Sequence, residues 1–125
     1  MATTDLTEDT FVPTIEQDGI VLVDFWAEWC GPCRMLGPIF EKSSEKHADV
    51  TFAKVDTDVE QRLAGAMGIS SIPTLMAFRD GIGVFSQAGA LPGPQLEKVI
   101  EAVRGLDMDD VRAKIAANEQ ASSGA

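Results

Sequence analysis

Histidine occurs once and cysteine only twice in this 125-residue chain, and no long stretch of it is uninterruptedly apolar. Each shortage excludes something. A structural zinc site takes four ligands, and two thiols with the single His47 fall short of that number. His47 then reads as a solvated surface residue at a polar helix end. A membrane-spanning helix needs about 20 apolar residues in succession, which the chain does not have. Basic residues are scarce, 10 against 20 acidic, giving a net charge of −10. Such a chain repels phosphate backbones and anionic lipid, so neither nucleic acid nor a membrane is expected as a partner. The charge reads as a solubility device or as a preference for basic partner surfaces. The N-terminal segment Met1–Asp9 lacks the basic start and apolar core of a secretory leader. The expected location is therefore cytoplasmic, where structural disulfides are rare. There is no Gly-rich phosphate loop, and no cofactor is expected.

What is present describes a folded α/β domain. Apolar residues make up 45% and charged residues 24%, close to the globular average. Thr7 can cap a first helix with Glu8 and Asp9 in its first turn, with Phe11, Ile15 and Val12 turned inward and Asp18-Gly19 ending it. Ile20–Trp26 is an apolar run of strand length, as in a strand buried on both faces. A helix with Leu36, Ile39 and Phe40 on one side follows, kinked at Pro38. Val50–Val55 reads as a second strand, Val59–Ala66 as a short helix, and Thr74–Arg79 as a third strand. Asp80-Gly81 marks a hairpin turn, with a return strand over Val84–Ala88. Leu96, Val99, Ile100 and Val103 share one face of an amphipathic helix. Asp107 can cap a last helix in which Met108, Val111 and Ile115 share a face and Asp110 pairs with Lys114. Residues 121–125 read as a frayed tail. The expected organisation is a domain over residues 1–105 and a helical extension over 106–125.

The chemistry sits in Cys30-Gly31-Pro32-Cys33. A disulfide closing so short a loop adds little stability, and the cytosol would reduce it. A redox-active pair is the reading that fits. The motif lies between a buried strand and a helix start, and Pro32 suits the first helical turn. Cys30 then falls at the helix N-terminus, where free N–H groups and the dipole stabilise a thiolate and make it the nucleophile. Cys33, one turn inward, is the resolving thiol. Asp24 is a carboxylate inside an apolar strand, six residues before Cys30. Burial raises its pKa, which suits it to take and return the proton of Cys33; alternatively it merely bonds backbone at a strand end. Lys54, in the second strand, either tunes Asp24 or is an exposed strand lysine.

The run Val23-Asp24-Phe25-Trp26-Ala27-Glu28-Trp29-Cys30-Gly31-Pro32-Cys33 resembles the active-site signature of the thioredoxin family, bacterial type. The likeness continues through Ile39, Lys54-Val55-Asp56, Gly68-Ile69, Ile72-Pro73-Thr74, Asp80-Gly81 and Gly89-Ala90-Leu91, covering roughly Thr7 to Arg104. It implies a thioredoxin fold: a central mixed sheet flanked by helices on both faces, here with a short C-terminal helix added. It implies a protein-disulfide reductase that takes electrons from a thioredoxin reductase and passes them to disulfide-containing client proteins, acting as a monomer. It implies a cis peptide before Pro73, and a shallow docking surface of Trp29, Gly31, Pro32, Ile72, Pro73, Gly89 and Ala90. The Gly31-Pro32 dipeptide resembles that of reductases, since oxidases and isomerases of the family typically carry a histidine at the position of Pro32. Two alternatives remain at this point: an oxidase or isomerase on the same fold, and a non-catalytic module that grips extended segments. Two departures from the family stand out, a short or missing N-terminal strand and the segment after Leu106.

Overall fold

In the computed structural model, which describes residues 2–123, five strands and five helices follow one another. They are β1 (Thr3–Asp5), α1 (Glu8–Ile15), β2 (Ile20–Trp26), α2 (Gly31–Lys46), β3 (Val50–Asp56), α3 (Gln61–Ala66), β4 (Thr74–Arg79), β5 (Ile82–Ala88), α4 (Gly93–Arg104) and α5 (Met108–Ser123). The strands form one mixed sheet in the order β1-β3-β2-β4-β5. β1 and β2 run parallel to β3, while β4 is antiparallel to both β2 and β5. The apolar run Ile20–Phe25 is buried along its whole length because β2 is the middle strand and both of its faces are covered.

Alternation along the strands divides the core in two. Ile20 and Leu22 of β2 join Val50 and Phe52 of β3 beneath α2 and α4, which contribute Leu36, Phe40, Leu96, Ile100 and Val103. Phe40 meets Phe52 edge-on at 5.1 Å between ring centres. Val21, Val23 and Phe25 face the other way, toward Phe11 of α1 and Leu63 of α3. Asp24 and Lys54 have the parity of the first set, and the register pairs them directly across β2 and β3. The sheet therefore delivers both polar residues to the α2 face, at the end where α2 begins.

β1 is very short, as expected: three residues on the edge of the sheet. Other expectations need correction. Val12 is not inward; it is 51% exposed, while Phe11 is buried and Ile15 packs beside it. α3 begins two residues later than expected, because Asp56 accepts bonds from the Asp58 and Val59 amides and holds that stretch as a turn. β5 begins two residues earlier: Asp80 and Gly81 both have positive φ, which makes the shortest hairpin turn and extends the pairing to Ile82. α2 continues through Pro38 to Lys46.

His47 is not a solvated surface residue. Its Nε2 donates to Glu97 at 2.6 Å, and Arg104 donates to its Nδ1 at 2.8 Å, tying the end of α2 to α4. Burial pushes the Glu97 carboxyl up, but hydrogen bonds from Ser43 and His47, together with the positive charges nearby, hold the group below its ordinary value. The C-terminal helix is not short either. α5 has 16 residues, as many as α2, and its helical backbone reaches into the segment expected to fray; residues 124 and 125 lie outside those described. Asp107 caps it as expected, accepting from the Asp110 amide at 3.2 Å. Of its expected shared face, Met108 is buried, but Ile115 is 39% exposed.

Candidate active site

β2 ends at Trp26, and the chain reverses before entering α2. The Cys30 amide donates to the Ala27 carbonyl at 3.2 Å, closing a tight turn over Glu28 and Trp29. Cys30 is the N-cap of α2, in extended conformation, and its sulfur accepts from the Cys33 amide at 3.2 Å. A sulfur thus takes the place that a Ser or Asp oxygen usually holds at a helix start. Pro32 lies in the first turn, where its lack of an N–H costs nothing. Cys30 and Cys33 are joined in a disulfide, with Cα atoms 5.2 Å apart, and both are almost fully buried. Trp29 beside them is 67% exposed.

The Ile72–Pro73 peptide is cis, as the resemblance implied. The Ile72 carbonyl oxygen lies 3.7 Å from the Cys30 sulfur, and Ile72 packs against the small cluster of Ala27, Cys30 and Cys33. The Pro73 carbonyl accepts the Gly89 amide at 2.8 Å. Gly89 has φ +101°, a conformation that side chains resist, so a glycine belongs there. A groove of about 650 Å³ runs beside the disulfide, with Trp29, Cys30, Gly31, Pro32 and Ile72 in its walls. Pro73, Gly89 and Ala90 are not among its walls; Pro73 is buried and Ala90 packs partly against the core. Thr57, Gln61, Ser70 and Ser71 also line the groove, beside Ala64, Gly65 and Ile69, and the sequence alone does not single these four polar residues out. The only sequence signal for them is adjacency: Ser70 and Ser71 lead directly into Ile72–Pro73.

Asp24 is completely buried, and neither of its oxygens has a hydrogen-bond partner. Burial pushes its carboxyl up to about 6, against the opposing pull of the Lys54 charge. An orphaned carboxylate would cost several kcal/mol in such a place, and holding a proton is how a carboxyl avoids that cost. Asp24 does not bond backbone at a strand end, so the simpler reading of this residue fails. Lys54 is half-buried, and its ammonium lies 4.8 Å from the centre of the Trp26 ring rather than against Asp24. A second hollow, about 520 Å³, has Trp26, Cys33, Arg34, Pro38 and Lys54 in its walls, so it borders both Cys33 and the lysine. Among the described residues no group of three or more His, Cys, Asp or Glu could hold a metal ion, and no helix is long and apolar enough to cross a membrane.

Comparison with known proteins agrees with this geometry. The family model described as thioredoxin matches residues 2–102. A putative thioredoxin 2 of Streptomyces coelicolor is 51% identical over 123 residues, covering 98% of this chain and 91% of that protein. The thioredoxin of Alicyclobacillus acidocaldarius is 48% identical over 97 residues, covering 77% of this chain and 92% of its own. Among solved structures, a single-residue mutant of a thioredoxin from Halobacterium salinarum superposes with a TM-score of 0.77 at 35% identity, covering 84% of this chain and 93% of that one.

Proposed function

The chain belongs to the thioredoxin family and is a thiol–disulfide reductase, and from that premise we propose how its residues divide the work. The observation that carries the reading is the Cys30–Cys33 disulfide at the start of α2, with the Cys30 sulfur facing the free end of the helix. In the reduced protein, Cys30 is the nucleophile. The helix N-terminus and the Cys33 amide favour its thiolate. It attacks one sulfur of a client disulfide, forming a mixed disulfide and releasing the first client thiolate. Cys33 then gives up its proton and attacks the Cys30 sulfur, releasing the second client thiolate and forming the Cys30–Cys33 bond. Two electrons pass to the client, and the pair is left oxidised.

Asp24 is the proton acceptor for Cys33. Its elevated pKa supports that role, because a base near neutrality can both take and return a proton. Lys54 tunes Asp24 through its charge. Trp29, Gly31, Pro32 and Ile72 form the near wall of the client groove, while Pro73 and Gly89 act from behind by holding one another in place. Ala90 belongs to the same surface. Thioredoxin reductase is the electron source, and client proteins carrying accessible disulfides are the substrates. The protein works as a cytoplasmic monomer, built from a catalytic domain over residues 1–105 and a helical extension over 106–125.

The deciding experiment is to equilibrate the protein in defined dithiol/disulfide buffers and measure its reduction potential. A value of about −270 mV, already established for thioredoxins, identifies a net donor of electrons. A value between about −180 and −120 mV would make it an isomerase or oxidant and overturn the proposed direction of flow.

A further inference from the structure

Arg34 is the fourth residue of α2 and is exposed. A cation in a first turn is misplaced with respect to the helix dipole, which favours negative charge there. Its side chain nevertheless holds one defined position. It folds back over the turn that precedes the helix, and both Nε and Nη2 donate to the Glu28 carbonyl oxygen, at 3.2 and 3.0 Å. Its own backbone amide donates to the Cys30 carbonyl at 3.3 Å. Arg34 thus grips the Glu28–Cys30 turn at both ends. The Glu28 carbonyl belongs to the peptide unit that joins Glu28 to Trp29. Fixing that unit restricts ψ of Glu28 and φ of Trp29, and so sets the direction in which the Trp29 side chain leaves the backbone. Trp29 itself is two-thirds exposed, so packing does little to aim it. A guanidinium can place two N–H groups on one oxygen in a fixed plane; an ammonium offers no such fork.

We propose that Arg34 is a positioning residue for disulfide exchange, its guanidinium clasped on the Glu28 carbonyl so that Trp29 is held in place as a wall of the client groove. This rests on the reading of Trp29 as a client-docking residue, and it adds a reason why the docking surface is preformed. Arg34 acts through Trp29 and touches no reacting atom.

The test uses the pre-reduced full chain in single-turnover oxidation by two probes, insulin and 2-hydroxyethyl disulfide. The second is too small to need docking. For Arg34→Ala, the half-saturating insulin concentration rises by about five- to tenfold, the loss expected of one ordinary, solvent-exposed hydrogen-bonded contact. The limiting rate, the rate with 2-hydroxyethyl disulfide and the reduction potential stay unchanged. Arg34→Lys recovers little, and adding Arg34→Ala to Trp29→Ala costs nothing further. Full rescue by lysine, or a shifted potential with both probes affected, would show Arg34 acting as a point charge and overturn the clasp. An unchanged insulin requirement in Arg34→Ala, with Trp29→Ala impaired, would overturn the clasp and leave the docking surface standing. An unimpaired Trp29→Ala would overturn both.

Discussion

Lys54 directs its ammonium onto the face of Trp26, 4.8 Å from the ring centre, although its partner across the parallel register is Asp24. The lysine charge reaches the carboxyl through space without a hydrogen bond to it, and Asp24 is left buried with no donor at either oxygen. Three predictions concern this neighbourhood and the cysteines it serves.

Asp24 titrates near 3.8 when unperturbed and at about 6 in the folded oxidised protein. Between those values the native chain holds a proton that the unfolded chain has lost. Stability must therefore fall as pH rises from about 4 to about 6 and level off above, with a penalty of about 3 kcal/mol at pH 8. Asp24→Asn removes the titration. The variant is expected to be more stable than the parent at pH 8 by about 1–3 kcal/mol, with the gain disappearing near pH 4. Urea unfolding of the oxidised forms at the two pH values checks it, and an equal gain at both would show that the titrating group lies elsewhere.

Replacing Lys54 by methionine keeps a stem to cover Trp26 but removes the positive charge. Because that charge pulls the Asp24 carboxyl down, the titration of Asp24 is expected to move higher. A carboxyl-carbon NMR titration of the oxidised protein reads this directly. A midpoint that stays still would mean that the lysine charge is screened from Asp24.

Pro32→His places an imidazole beside the Cys30 sulfur. Its protonated form stabilises the thiolate, and hence the reduced pair, so the disulfide becomes more oxidising. Stabilisation of about 1.4 kcal/mol corresponds to about 30 mV, and a rise of tens of millivolts is expected in redox-buffer equilibration. No rise would mean that residue 32 has no part in setting direction.

Stability should depend on α5 only where the helix meets the domain. Met108 is buried, and Met108→Ala is expected to cost about 2 kcal/mol. Ile115→Ala, at a partly exposed position, should cost less than half of that. Phe40→Ala, which opens the core between α2 and β3, should cost about 3–5 kcal/mol. Denaturant midpoints rank the three, and a cost for Ile115 as large as that for Met108 would mean that the outer half of α5 is anchored.

The readable parts of this molecule are those in which one local rule decides the outcome. The buried run of β2, the Asp80-Gly81 turn, the apolar face of α4 and the cysteine spacing each follow from a single periodicity or a single backbone demand. Asp24 is legible because a lone acid in an apolar run violates the pattern around it. His47 is not, because its partners, Glu97 and Arg104, are 50 and 57 residues away, and nothing local marks the pairing. Thr57 and Gln61 are hidden for a related reason: ordinary polar residues acquire a place in the groove only when β3 and α3 are brought beside the disulfide. The Lys54–Trp26 contact is invisible because register places Lys54 opposite Asp24, and only the course of the side chain takes it elsewhere.

The sulfur that caps α2 is also the proposed nucleophile. A thiolate is a stronger hydrogen-bond acceptor than a disulfide sulfur, so reduction exchanges a covalent tie across the first turn of a 16-residue helix for a stronger cap on it. The coupling runs both ways, because linked equilibria are reciprocal. A contact that holds the Cys33 amide on the Cys30 sulfur also makes Cys30 more acidic, and one that draws that amide away makes Cys30 a poorer leaving group. Acidity at one atom and order along one helix are thus two readings of a single free energy, and a protein partner that touches only the backbone of that turn can alter the chemistry without touching a sulfur.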